Sequence, residues 1–464
     1  MKKKLFILLF PLLSFGQTQI GDAIYGKTAN ENFGQNISLS KNGDILAVRG
    51  PEANINGQKM SEIQVYKNTA RTWITTRNPI YEKSDRNATI SLSKDGSAIA
   101  IAENLDIFNP RTNLKELCYL VSVFNTNDNR GPAEIIFTEA QVPSNYTQNI
   151  SLSEDGSVLA VANGAGAAVF RKIGRHFWPQ IGNRINFADN VSLSRDGNTL
   201  ATGSSFGASD AKGVVKILSN IGGNWQRQMD FFGKENEGLG YKVLLSGDGT
   251  TVAAVGWNGI VRVYRNAGGN WNWVQLGTDI EHKSSSRNTI DVSLSDDGTI
   301  LAIGNPHNDQ VKSGRVMIYK YAAGVWTQIG KNIDGEQDDD GNGQSISLSG
   351  DGLTLAISAP WNDTNGKDSG KVSVYDLSSL FSPLSTDQFL NTTAVVYPNP
   401  ASQPVTIDLQ ENVQLKGITI YDALGKLIKT TEKNVIDMSP LPNGNYFFEI
   451  VTDKGKTTKT IVKK

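Results

Sequence analysis

The sequence predicts an all-β protein: a seven-bladed β-propeller followed by a small, immunoglobulin-like (Ig-like) β-sandwich. Three observations predict it. A thirteen-residue pattern, seen in Ser345-Ile-Ser-Leu-Ser-Gly-Asp-Gly-Leu-Thr-Leu-Ala-Ile357, occurs seven times. The turn glycines of the copies (43, 96, 156, 197, 249, 298 and 352) stand 41 to 60 residues apart, a spacing suited to blades of about 40–50 residues carrying several strands each. After residue 377 the repeat stops, and a different series of short alternating strands begins.

Each copy reads as a β-hairpin. Apolar residues alternate before the turn, as in Ile346 and Leu348, which is the period of a strand with one covered face. The turn is Ser-x-Asp/Asn-Gly every time. Gly reaches the left-handed conformation a tight loop needs, and Asp or Asn can hydrogen-bond the local backbone. A run of small or apolar residues follows, in which Ala47, Ala100, Ala160, Ala201, Ala253, Ala302 and Ala356 recur at one place. Side chains that small imply a closely packed neighbouring sheet. Third strands such as Val261-Arg-Val-Tyr264 and Val372-Ser-Val-Tyr375 come next. Outer strands usually open with Trp, at Trp73, Trp178, Trp225, Trp271 and Trp326, and recurrence in register favours packing between blades for these rings.

The last copy supplies only three strands, while Thr18-Gln-Ile-Gly21 repeats Thr327-Gln-Ile-Gly330. Residues 18–25 are therefore expected to complete the last blade and tie the ends of the ring together, removing two sheet edges. The expected organisation is a signal peptide over 1–16, a propeller over 17–377, a linker over 378–394 and a C-terminal domain over 395–464. The first segment has three lysines, a short apolar core and a small residue before Gln17, a pattern for Sec export that is too short to span a bilayer. No other segment reaches transmembrane length. A formal charge of −1 gives no electrostatic case for nucleic acid. With one cysteine, Cys118, no internal disulfide can form.

The tail carries Tyr397-Pro398-Asn399-Pro400, then Ile420-Tyr421-Asp422-Ala-Leu-Gly425-Lys426, then Ser439-Pro-Leu-Pro-Asn-Gly444-Asn-Tyr446 and a Lys-rich end. This series resembles the C-terminal sorting domain of the type IX secretion system of Bacteroidetes. The resemblance implies passage to the periplasm and then across the outer membrane, a secreted or surface-attached product, and the type IX secretion machinery as a partner. More weakly, Gly343-Gln-Ser-Ile-Ser347, Ala359-Pro360 and Gly370-Lys-Val-Ser-Val-Tyr375 resemble FG-GAP repeats of integrin-like propellers. Calcium loops of that family have no counterpart in the Ser-x-Asp-Gly turns, which offer too few oxygens for six to eight ligands.

Catalytic and metal chemistry find little support. The turn aspartates Asp95, Asp155, Asp196, Asp248, Asp297 and Asp351 are explained by the turns. His176, His282 and His307 have no zinc spacing, and no nucleophile elbow or phosphate loop occurs. Asp338, Asp340 and Asn342 begin like a calcium loop, but Ser349 stands where Glu would close it, which favours a solvated loop. No cofactor is expected. Strand direction places the repeat turns on one face and the varied segments Pro51–Ser61, Asn104–Leu117, Phe206–Gly213, Pro306–Gly314 and Pro360–Gly370 on the other. Varied loops on a rigid scaffold are where recognition usually lies. Trp257 and Trp361 depart from the packing register, and with His307, Asn362, Asp363 and Asp368 they are the candidate ligand contacts. The expected activity is non-enzymatic binding of a protein or glycan. The alternatives are a polysaccharide-active hydrolase or lyase, which needs paired carboxylates, and a structural module without a ligand.

Overall fold

The computed structural model describes residues 16–464, apart from 84–87, 110–113, 128, 130, 139–148, 165, 175–176, 207–210, 269–271, 283–289, 382–393, 403, 410–412, 424 and 454. All but the last residue of the expected signal peptide, most of the expected linker, His176 and Trp271 lie outside the described residues. Two compact units are present, Met1–Leu380 and Phe381–Lys464.

The first unit contains, among the described residues, seven sheets of four or five strands. Their first strands are Asn36–Leu39, Thr89–Leu92, Asn149–Leu152, Asn190–Leu193, Lys242–Leu245, Asp291–Leu294 and Ile346–Leu348. Each neighbours the next, and the last neighbours the first, so the sheets form a closed ring with these strands innermost. They are called blades 1 to 7 in that order. In blade 6 the strands Asp291–Leu294, Ile300–Asn305, Arg315–Ala322 and Val325–Asp334 follow one another outward, all antiparallel. Blade 7 has three such strands, ending in Lys371–Asp376, and takes its outer strand from the start of the chain. There Thr18 pairs with Asp376 and Gln19 with Tyr375, while Ile24 pairs with Val372 and Tyr25 with Lys371.

Every residue of the repeat turn has a structural task. The serine of Ser-x-Asp/Asn-Gly donates to the Asp or Asn side chain at 2.5–2.8 Å. The same hydroxyl accepts the amide five residues on at 2.9 Å in all seven blades. One residue thus staples both strands of the hairpin. Asp155, Asp196 and Asp297 sit below the usual carboxylate range; burial pushes them up, but hydrogen bonds from Ser, Thr, Asn and backbone groups outweigh it. The earlier serine of Ile-Ser-Leu-Ser works between blades. Ser38, Ser91, Ser151, Ser192, Ser293 and Ser347 each accept the Leu amide of the next blade, at 2.8–3.2 Å. Blade 5 has Leu244 there. The recurring alanines are fully buried, as close sheet packing requires.

A further belt runs through the variable position of the turn. Lys41 donates its amide to Lys94, Asp95 to Glu154, Glu154 to Arg195, Arg195 to Gly247, Asp248 to Asp296, Asp296 to Gly350, and Gly350 to Lys41, each to a backbone carbonyl at 2.7–3.1 Å. The circle crosses all seven blade boundaries. Side chains from the same positions bridge blades that are not neighbours: Lys41 to Glu154 at 3.1 Å, and Arg195 to Asp296 at 2.6 Å. Asp296 fills the space left by two glycines, since a Cβ at Gly247 or Gly350 would meet its carboxylate at 2.2 or 2.5 Å. Ion pairs therefore cross this mouth of the ring.

The segments Pro51–Ser61 and Asn104–Leu117, expected as variable loops, are largely strand among the described residues. In blade 2 the strands Ala98–Asn109 and Leu114–Asn125 pair residue for residue along their length. Blade 1 is similar, with Ile45–Ile55 against Gln58–Thr69 and an irregularity between Gly50 and Ala53. Backbone pairing can extend a ribbon in which polar and apolar side chains mix.

In the second unit a three-stranded sheet (Ala394–Tyr397, Val405–Leu409, Val435–Ile436) and a four-stranded sheet (Leu427–Thr431, Leu415–Asp422, Gly444–Thr452, Gly455–Lys463) share one core. Val405, Ile407, Ile418, Ile420, Phe448, Ile450 and Ile461 fill it.

Candidate functional site: a cleft between the last and first blades

On the face opposite that mouth, the chain entering blade 1 meets the loop of blade 7. The approach is fixed by backbone bonds: the amides of Asn30, Asn32 and Phe33 donate to the carbonyls of Lys367, Asp368 and Ser369 at 2.6, 2.9 and 3.1 Å. Asn365 adds a side-chain bond to the Gly26 carbonyl at 3.0 Å. Asn30, Asn32 and Asp368 hold φ of +60°, +52° and +52°, a region that Asn and Asp enter more readily than other side chains. Between these segments lies a cleft of about 330 Å³ lined by Asn30, Asn32, Gln35, Pro51, Glu52, Trp361 and Asp368. Its lining carries three amides, two carboxylates and one indole, with no cation among these residues.

Trp361 is half-buried and seated on Gly341, where a Cβ would come within 2.2 Å of its Cε3. His307 of blade 6 stacks on it, with ring centroids 5.3 Å apart and planes 25° apart. The ring is thus held before any ligand arrives, which lowers the ordering cost of binding.

The other candidates divide. Asn362 is fully buried; its amide group donates to Asp340 Oδ1 at 3.2 Å and its side-chain oxygen accepts the Thr364 amide. It builds the loop and does not face the cleft. Asp363 is exposed and accepts the Asp368 amide at 2.7 Å, bracing the same loop. Trp257 lies away from the cleft, seated on Gly238 with its Nε1 donating to Asn236 O at 2.8 Å and its ring meeting Phe206 edge-on at 5.0 Å. So the structure brings Trp361, His307 and Asp368 together, uses Asn362 and Asp363 as their support, and leaves Trp257 elsewhere.

Asp338, Asp340 and Asn342 do not converge. Asp338 is exposed, but Asp340 is buried, and its Oδ2 accepts the amides of Glu336 and Gln337 at 3.1 and 2.9 Å. Asn342 is buried and donates to Ile333 O. The expectation of a solvated loop fails for these two residues, because the carboxylate is needed inward as a turn cap. Glu31 and Glu237 do the same before blades 1 and 5, accepting the amides of Lys27 and Thr28 at 2.6 and 3.0 Å and of Lys234 at 2.5 Å. Burial raises the Glu31 carboxyl above its ordinary range, against the pull of those two amides. A sequence signal existed: Glu31, Glu237 and Asp340 each stand three residues before a glycine (34, 240, 343) that leads into an inner strand. Glu237 also meets Arg262 at 2.7 Å, and Arg262 grips Asp279 with two bonds of 2.9 Å, a buried charge cluster. Among the described residues, no group of three or more His, Cys, Asp or Glu could hold a metal.

Residues that sequence reasoning missed are Asn30, Asn32, Gln35 and Glu52, which join the cleft only through ring closure. Glu52 carried one signal, since it stands five residues after the repeat alanine of blade 1, as Trp361 does in blade 7.

The motif residues of the second unit mostly form its turns and edges. Both Xaa-Pro bonds of Tyr397-Pro398-Asn399-Pro400 are cis. Asn399 brackets the last strand, donating to Thr460 O at 2.8 Å and accepting the Val462 amide at 2.9 Å. Asp422 accepts the Lys426 amide, and Gly425 has φ +77° in that turn. Tyr446 is buried and donates to Pro442 O at 2.8 Å, two residues before Gly444 begins its strand. Tyr421 is half-buried on the neighbouring strand, opposite Phe447.

Residues 395–464 match the family model described as a secretion system C-terminal sorting domain, and residues 326–375 match an FG-GAP repeat. Among solved structures, the chain is similar to the Cps50 (Swd1) β-propeller domain of Myceliophteria thermophila, with a TM-score of 0.52 and 11% identity over 78% of this chain and 99% of that one. That likeness concerns fold alone. No curated protein matches the chain in sequence. The protein is a β-propeller followed by a sorting domain. Its tail marks it as a type IX secretion cargo, exported or attached at the cell surface, and no helix among the described residues is long and apolar enough to cross a membrane.

Proposed function

We propose that the propeller is a recognition module that binds an extracellular glycan or protein in the Trp361 cleft, with the sorting domain serving only delivery. The organisation into signal peptide, ring, linker and tail follows from the same reading. The observation that carries it is the cleft itself: a held indole beside three amides and two carboxylates, on the face opposite a mouth crossed by ion pairs. An apolar plane with a few polar groups around it is the usual composition of a small-ligand site. The roles follow: Trp361 supplies contact area, Asp368, Glu52, Asn32 and Gln35 supply hydrogen bonds, and His307 holds the indole.

The test is binding of the purified chain to a glycan array and to surface-protein extracts, with Trp361→Ala and Asp368→Asn as variants. Truncating an anchor costs about 2 kcal/mol or more of binding, roughly thirtyfold in affinity. Because Trp361 is half-buried and stacked, its truncation also costs stability, about 1 kcal/mol for the aromatic pair alone. Asp368→Asn keeps the volume and the backbone conformation, so it separates weakened binding from weakened folding. Unchanged binding in both variants would remove the cleft from the account. A second reading rests on Glu52 and Asp368 lining one cleft, as a glycoside hydrolase requires of its carboxylates. Release of reducing ends from a bound glycan, abolished by Glu52→Gln, would favour it.

A further inference from the structure

The cleft does not stand alone on its face. Four consecutive blades carry an aromatic ring two residues past the end of their second strand: Phe206 in blade 4, Trp257 in blade 5, His307 in blade 6 and Trp361 in blade 7. Phe206, His307 and Trp361 stand five residues after the repeat alanine, and Trp257 four. These rings meet in two pairs, each across a blade boundary. Phe206 meets Trp257 edge-on at 5.0 Å, and His307 stacks on Trp361 at 5.3 Å. The two tryptophans are seated alike, each on a glycine of the segment entering its blade. A Cβ at Gly238 would lie 2.4 Å from Trp257, and one at Gly341 would lie 2.2 Å from Trp361. An acidic turn cap, Glu237 or Asp340, immediately precedes each of those glycines. The Phe206–Trp257 pair thus repeats the placement of the His307–Trp361 pair two blades away around the ring, edge-on where the other is stacked.

We propose that Phe206 and Trp257 form a second carbohydrate platform, which takes a remote unit of the same neutral polysaccharide chain that the Trp361 cleft takes. The proposal rests on the reading of the cleft as a binding site and names its ligand class. Phe206 is 68% exposed although it touches Trp257, so packing does not account for it. Trp257 is rigid, through its seat on Gly238 and its Nε1 bond, and a fixed indole pays little ordering entropy on binding. Aromatic planes suit the C–H faces of pyranose rings. A ligand built of identical units can meet copies of one site placed in register around the ring, which a single small molecule cannot. The cleft lining has two carboxylates and no cation, so uronate or sulfated chains would meet repulsion and neutral ones would not. Two ring pairs also fall far short of the roughly 1,600 Å² of a typical protein interface.

Two linked weak sites give a polymer an affinity that neither gives a short fragment. The experiment therefore compares lengths. Full-length protein is titrated with β-1,4-glucan, β-1,3-glucan, xylan and mannan, each as a disaccharide and as the parent polysaccharide, with polygalacturonate as the anionic control. Phe206→Ala should lower affinity for the bound polysaccharide tenfold or more and leave the disaccharide's affinity for the Trp361 cleft unchanged, whereas Trp361→Ala should weaken both. Phe206→Tyr should restore the polymer affinity, and the melting temperature of Phe206→Ala should match the parent. If Phe206→Ala leaves the polymer affinity intact while Trp361→Ala abolishes it, the second platform falls and the cleft stands. Preference for polygalacturonate, or no binding to any neutral glycan, overturns the ligand class as well.

Discussion

Replacing a turn glycine by alanine should reveal which turns hold the blades together, because the geometry predicts a rank order. Gly298 closes the first hairpin of blade 6 with φ +66°, and a Cβ there would lie 2.5 Å from both Cβ and Oγ1 of Thr251 in blade 5. Thr251 is fully buried and its hydroxyl accepts a bond from Arg265 Nε at 2.9 Å, so it has nowhere to go. Alanine in the left-handed region costs about 1–2 kcal/mol, and forcing an extra methyl into a packed interface adds about 1–3. Gly298→Ala should therefore cost about 2–5 kcal/mol. Gly352 has φ +74° and would meet Ile300 at 3.0 Å, a contact that a slight shift relieves, so Gly352→Ala should fall in the lower half of that range. Gly324 turns into the outer strand of blade 6 with φ +86° and nothing within 4 Å. Gly324→Ala should show the conformational cost alone, about 1–2 kcal/mol. Thermal melts followed by tryptophan fluorescence, on the three variants and the parent, give the order directly. Equal losses for Gly298→Ala and Gly324→Ala would refute the claim that the repeat glycines are required by contact between blades as well as by their backbone angle.

Two further outcomes follow from the structure. Burial lowers the His282 imidazole to about 4, so the unfolded chain takes a proton near pH 6.5 that the folded chain refuses. Stability should fall as pH drops from about 6.5 to 4, by at most about 3 kcal/mol, and then level off for this group; melts of His282→Gln should lose that part of the slope, and an unchanged slope would show that carboxylates alone set it. Removal of residues 395–464 should leave the propeller folded, since the second unit has its own core, yet retain it in the periplasm; fractionation finding the shortened chain outside the cell at parental levels would contradict the delivery role.

The ring was legible in the sequence because its rules are local. Serine, aspartate and glycine of each turn satisfy one another within six residues, so the pattern repeats wherever a hairpin is needed. Pairing of Thr18 and Gln19 with the last blade was legible for the same reason: the Thr-Gln-Ile-Gly copy identifies the missing strand. The cleft is different in kind. Asn32 and Asp368 touch because the ring closes, and nothing near either residue records the other. Asn362 and Asp340 misled in the opposite direction, since their polarity suggested exposure while both are buried and bonded to each other at 3.2 Å.

These mismatches have one physical origin, which also bears on the proposal that recognition uses one face. On the repeat-turn face, the serines, most turn carboxylates and the glycines are occupied by hairpin staples, interblade belts or axial ion pairs, so substitution there costs stability before it can create a site. On the other face, the entering segments are fixed by a buried acid three residues before a glycine, as at Glu31, Glu237 and Asp340. Trp361 and Phe206 stand two residues past a strand end, where a side chain can meet solvent while its backbone stays anchored. Asn362 and Asp363 stand one and two residues further along but are spent on the loop. Under the proposed reading, the distinction that matters is whether a side chain faces outward or braces its loop, which makes the Trp361 cleft and the Phe206–Trp257 pair the surfaces to test.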